Sequence, residues 1–217
     1  MNRHIAVIDP GMRVPELDCF NRMARVSALP LTYHLPAMFG LDSLYRAEDG
    51  LAGVIVLGSG ASVNDDLPWQ TALAAWLRPR IGGVPALGLC YGHQLFASVL
   101  GGDVGFVTPD RVKLKGIRRV SLAPDALWGA GVDGPLLVTH REGVTRLPDG
   151  CVILGASPQV PVEAFRHAEL PIWGFQAHPE ATPAFALNND VPLADPADLA
   201  FGNARVDEFL ATAAAAR

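Results

Sequence analysis

The sequence predicts an α/β fold in which a mainly parallel sheet is flanked by helices. Short β-branched apolar runs recur along the chain, each bounded by Gly or Pro, and such near-continuous runs are typical of strands buried on both faces. Segments with a helical spacing of apolar residues lie between them. This alternation favours a parallel sheet with crossover helices.

Six runs are predicted to be strands, and four segments are predicted to be helices. The predicted strands are residues 4–8, 53–57, 84–89, 136–138, 152–154 and 172–175. The predicted helices are residues 16–28, 69–77, 93–100 and 197–216, and the alanine run at the end of the last one is expected to fray. Residues 105–120 alternate apolar and basic side chains, which indicates an antiparallel hairpin or an extension of the sheet.

Composition indicates one globular domain spanning residues 1–217. The chain is 217 residues long, half of its residues are hydrophobic and only 18% are charged, so it can build a sizeable core. The net charge is -5, and the basic residues between Arg111 and Arg119 are separated by apolar ones, so nucleic-acid binding is not expected. No run reaches the roughly 18 apolar residues of a membrane span, and no signal peptide is expected.

Three cysteines, Cys19, Cys90 and Cys151, are widely spaced along the chain. Neither a disulfide framework nor a zinc cluster produces this spacing. We therefore expect a reducing cytoplasmic setting, no metal site, and at least one thiol free for chemistry. Cys19 and Cys151 lie in an ordinary helical and an ordinary strand pattern, where a structural role is expected.

Cys90 is the candidate nucleophile. A predicted buried strand ends at this cysteine, a helix begins directly after it, and Gly88 and Gly92 flank it at two residues on either side. This is the strand–turn–helix context of a nucleophile elbow, where small neighbours permit a tight turn and the positive end of the helix dipole stabilises a thiolate. The motif alone leaves open a buried core cysteine.

His178 is the candidate base and Glu180 its orienting partner. A predicted strand leads into His178, Pro179 and Glu180, and in an extended segment side chains at i and i+2 point the same way. Pro179 restricts the backbone and favours that extended geometry. Nucleophile, base and orienting carboxylate together make up a catalytic triad.

The other histidines are weaker candidates. His93 falls in the first turn of the predicted helix after Cys90, where a structural role is expected. His140 follows a predicted strand and is a candidate for contact with substrate. His4, His34 and His167 have no supporting neighbours and are expected at the surface or in the core.

These motifs resemble those of the class I, or triad-type, glutamine amidotransferases, whose elbow commonly reads Gly-x-Cys-x-Gly-His-Gln and whose late strand ends in His-Pro-Glu. The resemblance covers residues 50–182, with 4–8 as a first strand, and residues 140–166 look most similar to the glutaminase domain of GMP synthetase, here as a stand-alone domain. It implies a flavodoxin-like, three-layer fold.

The resemblance also implies a reaction. Cys90 would attack the side-chain amide of L-glutamine, and His178, held by Glu180, would protonate the departing ammonia and then activate water against a γ-glutamyl thioester. The family needs no metal or organic cofactor for this half reaction, and its members usually pass ammonia to a synthetase domain or partner.

Further site residues follow only from the resemblance. Gly58, Ser59 and Gly60 stand where the family usually has Gly-Gly-Pro, so the backbone N–H of Ser59 and that of Tyr91 are the expected oxyanion donors. Gln94 is expected to contact glutamine, and the backbone at Arg141 and Glu142 to hold its amino-acid end. Residues 61–83 look longer than in biosynthetic members and are expected to cover the site.

Three alternatives stay open. An α/β-hydrolase resembling dienelactone hydrolase also uses Gly-x-Cys-x-Gly, but it needs an acid well before the histidine. A γ-glutamyl hydrolase would use the same fold and triad on γ-glutamyl amines or peptides. A binding or regulatory module would carry the triad without using it.

Overall fold

A seven-stranded sheet lies at the centre of the protein in the computed structural model, which describes residues 3–216. Its strand order is β2-β1-β3-β4-β11-β10-β9. The five neighbouring strands β2, β1, β3, β4 and β11 pair in parallel, in the order typical of flavodoxin-like sheets. Strand β10 pairs antiparallel with both of its neighbours, β11 and β9. The predicted, mainly parallel sheet is therefore confirmed.

The elements follow one another along the chain with these bounds. They are β1 His4–Ile8, α1 Leu17–Val26, β2 Leu31–His34, α2 Pro36–Phe39, α3 Asp42–Arg46, β3 Leu51–Val56, α4 Pro68–Leu77, β4 Ala86–Leu89, α5 Tyr91–Val99, β5 Asp103–Phe106, β6 Leu114–Leu122, β7 Val132–His140, β8 Glu142–Arg146, β9 Cys151–Gly155, β10 Ala164–His167, β11 Ile172–Phe175, α6 Pro183–Asn188, a 3-10 helix Pro196–Leu199 and α7 Ala200–Ala215.

Helices cover both faces of the sheet, which confirms the three-layer architecture. On one face, Met23 of α1 and Phe209 of α7 belong to the same buried cluster as Val7 of β1. On the other face, Trp76 of α4 and Phe96 of α5 pack in a second cluster. Strand residues alternate between these clusters because successive side chains point to opposite faces of a sheet.

Two runs that were predicted as strands buried on both faces of the central sheet are strands in other positions. Leu136 to Val138 lie in β7, which pairs antiparallel with β6 in a separate two-stranded sheet. The run is apolar because Leu136 and Val138 join one buried cluster while Leu137 joins another. Residues 152–154 lie in the edge strand β9, where Val152 and Ile153 are exposed, so burial on both faces was wrong for this run.

The alternating segment at 105–120 belongs to two antiparallel ladders. Residues 105 and 106 are the last two of β5, which pairs with β8, and residues 114–120 form most of β6. It is not a hairpin of its own, because both of its strands pair with later segments of the chain. The strands β2, β8 and β10 and the short helices α2, α3 and α6 were not predicted, and the predicted last helix begins with the 3-10 turn.

In the described part of the chain, none of the helices has the length and apolar character needed to cross a membrane.

Candidate active site

Cys90 lies at a sharp turn between β4 and α5. Its backbone has φ 50° and ψ -100°, an unusual conformation for a residue with a side chain. A Cβ atom built on Gly88 would lie 2.4 Å from the carbonyl oxygen of Gly92, and one built on Gly92 would lie 2.1 Å from that of Val56. Only glycine fits at these two positions, which explains the spacing seen in the sequence.

His178 lies beside this turn because β11, which precedes it, pairs in parallel with β4. The backbone N–H of His178 donates to the carbonyl oxygen of Leu137 at 2.8 Å, and its Nδ1 lies 2.9 Å from Oε1 of Glu180. Both side chains are almost completely buried. The expected backbone geometry was wrong, since Pro179 and Glu180 form a turn rather than an extended segment, and this turn brings the carboxylate to the ring.

The environment of His178 favours its protonated ring. Burial acts to lower the pKa of this histidine, but electrostatic interactions with Cys90 and Glu180 outweigh it and raise the pKa to about 10. The Nε2 atom is buried and makes no hydrogen bond of standard geometry with residues 3–216. This nitrogen is therefore available to exchange a proton with the thiol or with a bound substrate.

A cavity of about 280 Å³ opens directly at Cys90 and brings together most of the predicted site residues. Besides Cys90, its walls include Ser59, Gly60, Gln94, His140 and Arg141. Gly58 lies outside this wall, against the side chains of the triad: a Cβ atom there would lie 2.7 Å from Cε1 of His178.

The inner wall of the cavity is a small hydrogen-bond network. Nε2 of Gln94 donates to the carbonyl oxygen of Glu142 at 2.8 Å and to Oε1 of Gln176 at 3.1 Å. Nδ1 of His140 lies 2.9 Å from the same Glu142 carbonyl. Burial lowers the pKa of His140 to about 4, so its ring is neutral near pH 7.

Gln176 is a buried residue of the site that the sequence motifs did not predict. Its Nε2 lies 3.8 Å from Sγ of Cys90, while its Oε1 holds Gln94. Its place in the sequence could have indicated this role, because Gln176 precedes the candidate base His178 by two residues. Lys113 and Thr139 also line the cavity, although neither stands in a motif.

The two expected oxyanion donors belong to the loop after β3, which lines the cavity with Cys90, and to the first turn of α5. Tyr91 is the first residue of α5, and the N–H groups in the first turn of a helix have no acceptor within the helix. The hydroxyl of Ser59 donates to the carbonyl oxygen of Pro10 at 2.8 Å and accepts from the N–H of Ala61. These bonds fix the loop after β3, and the oxyanion roles remain predictions.

The other two cysteines are less suited to nucleophilic chemistry. Cys19 is fully buried in α1, and burial raises its pKa well above the usual value. Burial also raises the pKa of Cys151 to about 11. Residues 3–216 contain no group of three or more His, Cys, Asp or Glu side chains arranged to hold a metal ion.

Comparison with known proteins gives one family and several relatives. The family model for class-I glutamine amidotransferase matches residues 24–187. A glutamine-hydrolyzing GMP synthase from Bordetella avium is 29% identical over 189 residues, which is 84% of this chain and 34% of that one. A glutamine-hydrolyzing GMP synthase from Symbiobacterium thermophilum is 34% identical over 138 residues, 63% of this chain and 26% of that one.

Among solved structures, a glutamine amidotransferase from Methylobacillus flagellatus superposes with a TM-score of 0.72 at 20% identity. The match covers 97% of this chain and 94% of that one. This likeness concerns the fold. The matched region spans about a quarter to a third of the length of the two sequence relatives above.

Proposed function

The chain belongs to the class I glutamine amidotransferase family, and from this premise we propose that it hydrolyses L-glutamine to glutamate and ammonia with Cys90, His178 and Glu180 as a catalytic triad. The observation that carries the proposal is the elbow conformation of Cys90 beside a buried histidine whose Nδ1 lies 2.9 Å from a carboxylate. The names of the relatives, which describe glutamine-hydrolysing enzymes, support the same reaction.

The proposed reaction begins with attack of Sγ of Cys90 on the side-chain carbonyl carbon of glutamine. N–H groups at Ser59 and Tyr91 stabilise the oxyanion, and each such donor is typically worth about 10²–10³ in rate. His178 gives its proton to the departing nitrogen as the carbon–nitrogen bond breaks. The resulting γ-glutamyl thioester is hydrolysed by a water that His178 deprotonates, and the thiol is released.

Glu180 acts in this scheme through His178. Its carboxylate holds Nδ1 and leaves Nε2 free for proton transfer, and its negative charge stabilises the imidazolium that forms during the reaction. Because the pair is buried, this charge is screened little by solvent. The raised pKa of His178 supports this role.

The first cavity is proposed to hold the amino-acid end of the substrate. Its volume of about 280 Å³ lies close to the lower end of the range for small-molecule sites. Gln94 and the neutral ring of His140 offer hydrogen-bonding groups on its wall, and Arg141 supplies a positive charge for the α-carboxylate.

A partner protein is proposed to receive the ammonia. Several relatives, among them proteins from Methanococcoides burtonii and Pyrococcus furiosus, are named as one lettered subunit of a GMP synthase, which indicates an assembly with at least one further subunit. Free hydrolysis would discard the nitrogen, so we propose a synthetase partner that activates an acceptor.

The test is a glutaminase assay on purified protein, with release of glutamate and ammonia measured together. Cys90→Ala should abolish both products, while Cys151→Ala, which replaces a half-buried thiol outside the site, should retain them. Equal product release by wild type and Cys90→Ala would contradict the proposal, because it would place the activity elsewhere or in a contaminant.

A further inference from the structure

A second cavity, of about 490 Å³, adjoins Cys90, and neither Gln94 nor His140 lines it. It shares five wall residues with the first cavity: Ser59, Gly60, Cys90, Lys113 and Thr139. Its other walls come from the loop that follows β1, from the end of α6, and from His178. Cys90 therefore lines both cavities.

The position of His178 assigns a role to each cavity. His178 lines only the second one, and it is the group that would protonate the leaving nitrogen. If the acyl part of a substrate lies in the first cavity, the carbon–nitrogen bond that breaks at Cys90 must point towards His178. The leaving amine therefore enters the second cavity.

Ammonia does not need a cavity of this size. A water molecule, which is similar in size, occupies about 30 Å³ in the liquid, whereas small-molecule sites measure about 300–1,000 Å³. At about 490 Å³ the second cavity falls within the range of small-molecule sites. Its volume fits an amine that carries a substantial organic group.

The walls of the second cavity define the chemistry of that amine. Met12, Val14 and Phe185 provide apolar surface, and the ring of Phe185 packs on His178 with centroids 4.6 Å apart. Arg13 lines this cavity alone and Lys113 lines both cavities, and neither takes part in the ion pairs found among residues 3–216. Apolar surface beside two unpaired cations matches an amino acid with an apolar side chain and a free carboxylate.

One acid also faces this space. Burial, together with the charge of Asp9, raises the pKa of Glu16 to about 7. A large fraction of Glu16 is therefore neutral near pH 7, and the two cations dominate the charge of the cavity. A leaving group with a carboxylate is favoured over one with a second ammonium group.

We propose that the second cavity is the leaving-group site for γ-glutamyl dipeptides whose C-terminal residue is apolar. The inference rests on the triad reaction proposed above and names a larger substrate for it. Sγ of Cys90 bonds to the γ-carbonyl carbon, the carbon–nitrogen bond breaks, and the amino acid leaves with the proton from His178. Water then cleaves the thioester, so one dipeptide and one water give glutamate and one free amino acid.

The experiment compares three substrates on the purified full chain: L-glutamine, γ-L-glutamyl-L-leucine and its C-terminal amide. The dipeptide should exceed glutamine in kcat/KM by about tenfold or more, because burial of a leucine side chain adds binding in the transition state. The amide, which lacks the carboxylate, should lose most of that advantage.

Matched variants test whether the second cavity is responsible. Val14→Trp would fill part of it, and the ratio of kcat/KM for the dipeptide to that for glutamine should fall at least about tenfold. Val26→Trp makes the same change at a valine of similar exposure, 53% against 64%, at the end of α1 and outside the cavity walls, so the ratio should stay as in wild type.

The outcomes separate this inference from the proposed function. If glutamine is hydrolysed but the dipeptide is cleaved no faster, the cavity serves another purpose, such as receiving a segment of a partner protein, and the inference is wrong while the triad reaction stands. Equal ratios in Val14→Trp and wild type would also overturn it. If neither substrate is cleaved, both the triad reaction and the inference are wrong.

Discussion

Replacing Gly58 with alanine should disable the candidate active site without unfolding the protein. A Cβ atom at this position would lie 2.7 Å from Cε1 of His178 and 3.8 Å from Cβ of Cys90. Carbon atoms pack best at about 3.5–4.0 Å, so the ring would have to move by about 1 Å. The backbone of Gly58 is not in the left-handed region, and alanine can adopt it.

The expected loss can be worked from this displacement. A shift of about 1 Å in a reacting group costs roughly 10²-fold in rate, or about 3 kcal/mol in the activation free energy. Because neither Gly58 nor His178 lines the first cavity, the effect should fall mainly on kcat, with a smaller change in KM for L-glutamine.

Steady-state glutaminase kinetics and thermal unfolding should be measured together, with Gly60→Ala as the matched control. The nearest neighbour of a Cβ atom on Gly60 is Cε of Met12 at 3.8 Å, an ordinary contact. This control should lose at most a few-fold in kcat. The reasoning is refuted if Gly58→Ala keeps wild-type kcat, or if the two variants lose activity equally.

The remaining predictions concern charge and pH. Glu180→Gln should lower kcat by roughly 10²–10⁴, because the neutral amide cannot stabilise the imidazolium of His178; an unchanged kcat in the glutaminase assay would remove Glu180 from the triad. Glu16→Gln should raise Tm by about 2–4 °C at pH 8 and hardly change it at pH 4.5. Because the pKa of Glu16 is raised to about 7, the folded protein favours the protonated acid, and this stability is lost as the pH rises from 4.5 to 7. Glu16 is partly exposed, which limits the effect to about 1 kcal/mol. A lower Tm for Glu16→Gln at pH 8 would contradict this prediction. For wild type, the free energy of unfolding in urea should fall by on the order of 2–5 kcal/mol between pH 6.5 and pH 4.5. Burial lowers the pKa of His93 to about 3 and the pKa values of His34 and His140 to about 4, so the stability of their neutral rings is lost as pH falls, and a flat profile would contradict this prediction.

The sequence predicted the parts of the structure that depend on local pattern. The strands His4–Ile8 and Ile172–Phe175 were predicted with the bounds that they have in the structure, because β-branched runs ended by Gly or Pro leave little choice. The turn at Cys90 was predictable for a similar reason, since glycines two residues away on both sides of a cysteine are typical of a tight strand-to-helix turn. Pairing was not predictable, because an apolar run such as Leu136–Val138 looks the same in a parallel sheet and in a hairpin between two buried clusters.

The candidate site was predictable where one motif supplied several groups. His178 and Glu180 lie two residues apart, and their contact followed even though the backbone there is a turn. Glu16, Lys113 and Phe185 come from three distant segments, and none has a neighbour that signals a site. Only the folded chain brings them together around Cys90, so the second cavity has no counterpart in the sequence pattern.

The most direct test of the triad is labelling with an electrophilic analogue of glutamine, followed by peptide mass analysis of all three cysteines. The account predicts a single adduct on Cys90, protection by excess L-glutamine, and much slower labelling in His178→Ala. It also predicts that Cys19, which is buried, and Cys151, whose pKa is raised, stay unmodified. An adduct on Cys151 with Cys90 untouched, or labelling of Cys90 that glutamine does not slow, would contradict the assignment of Cys90 as the nucleophile of a glutamine site.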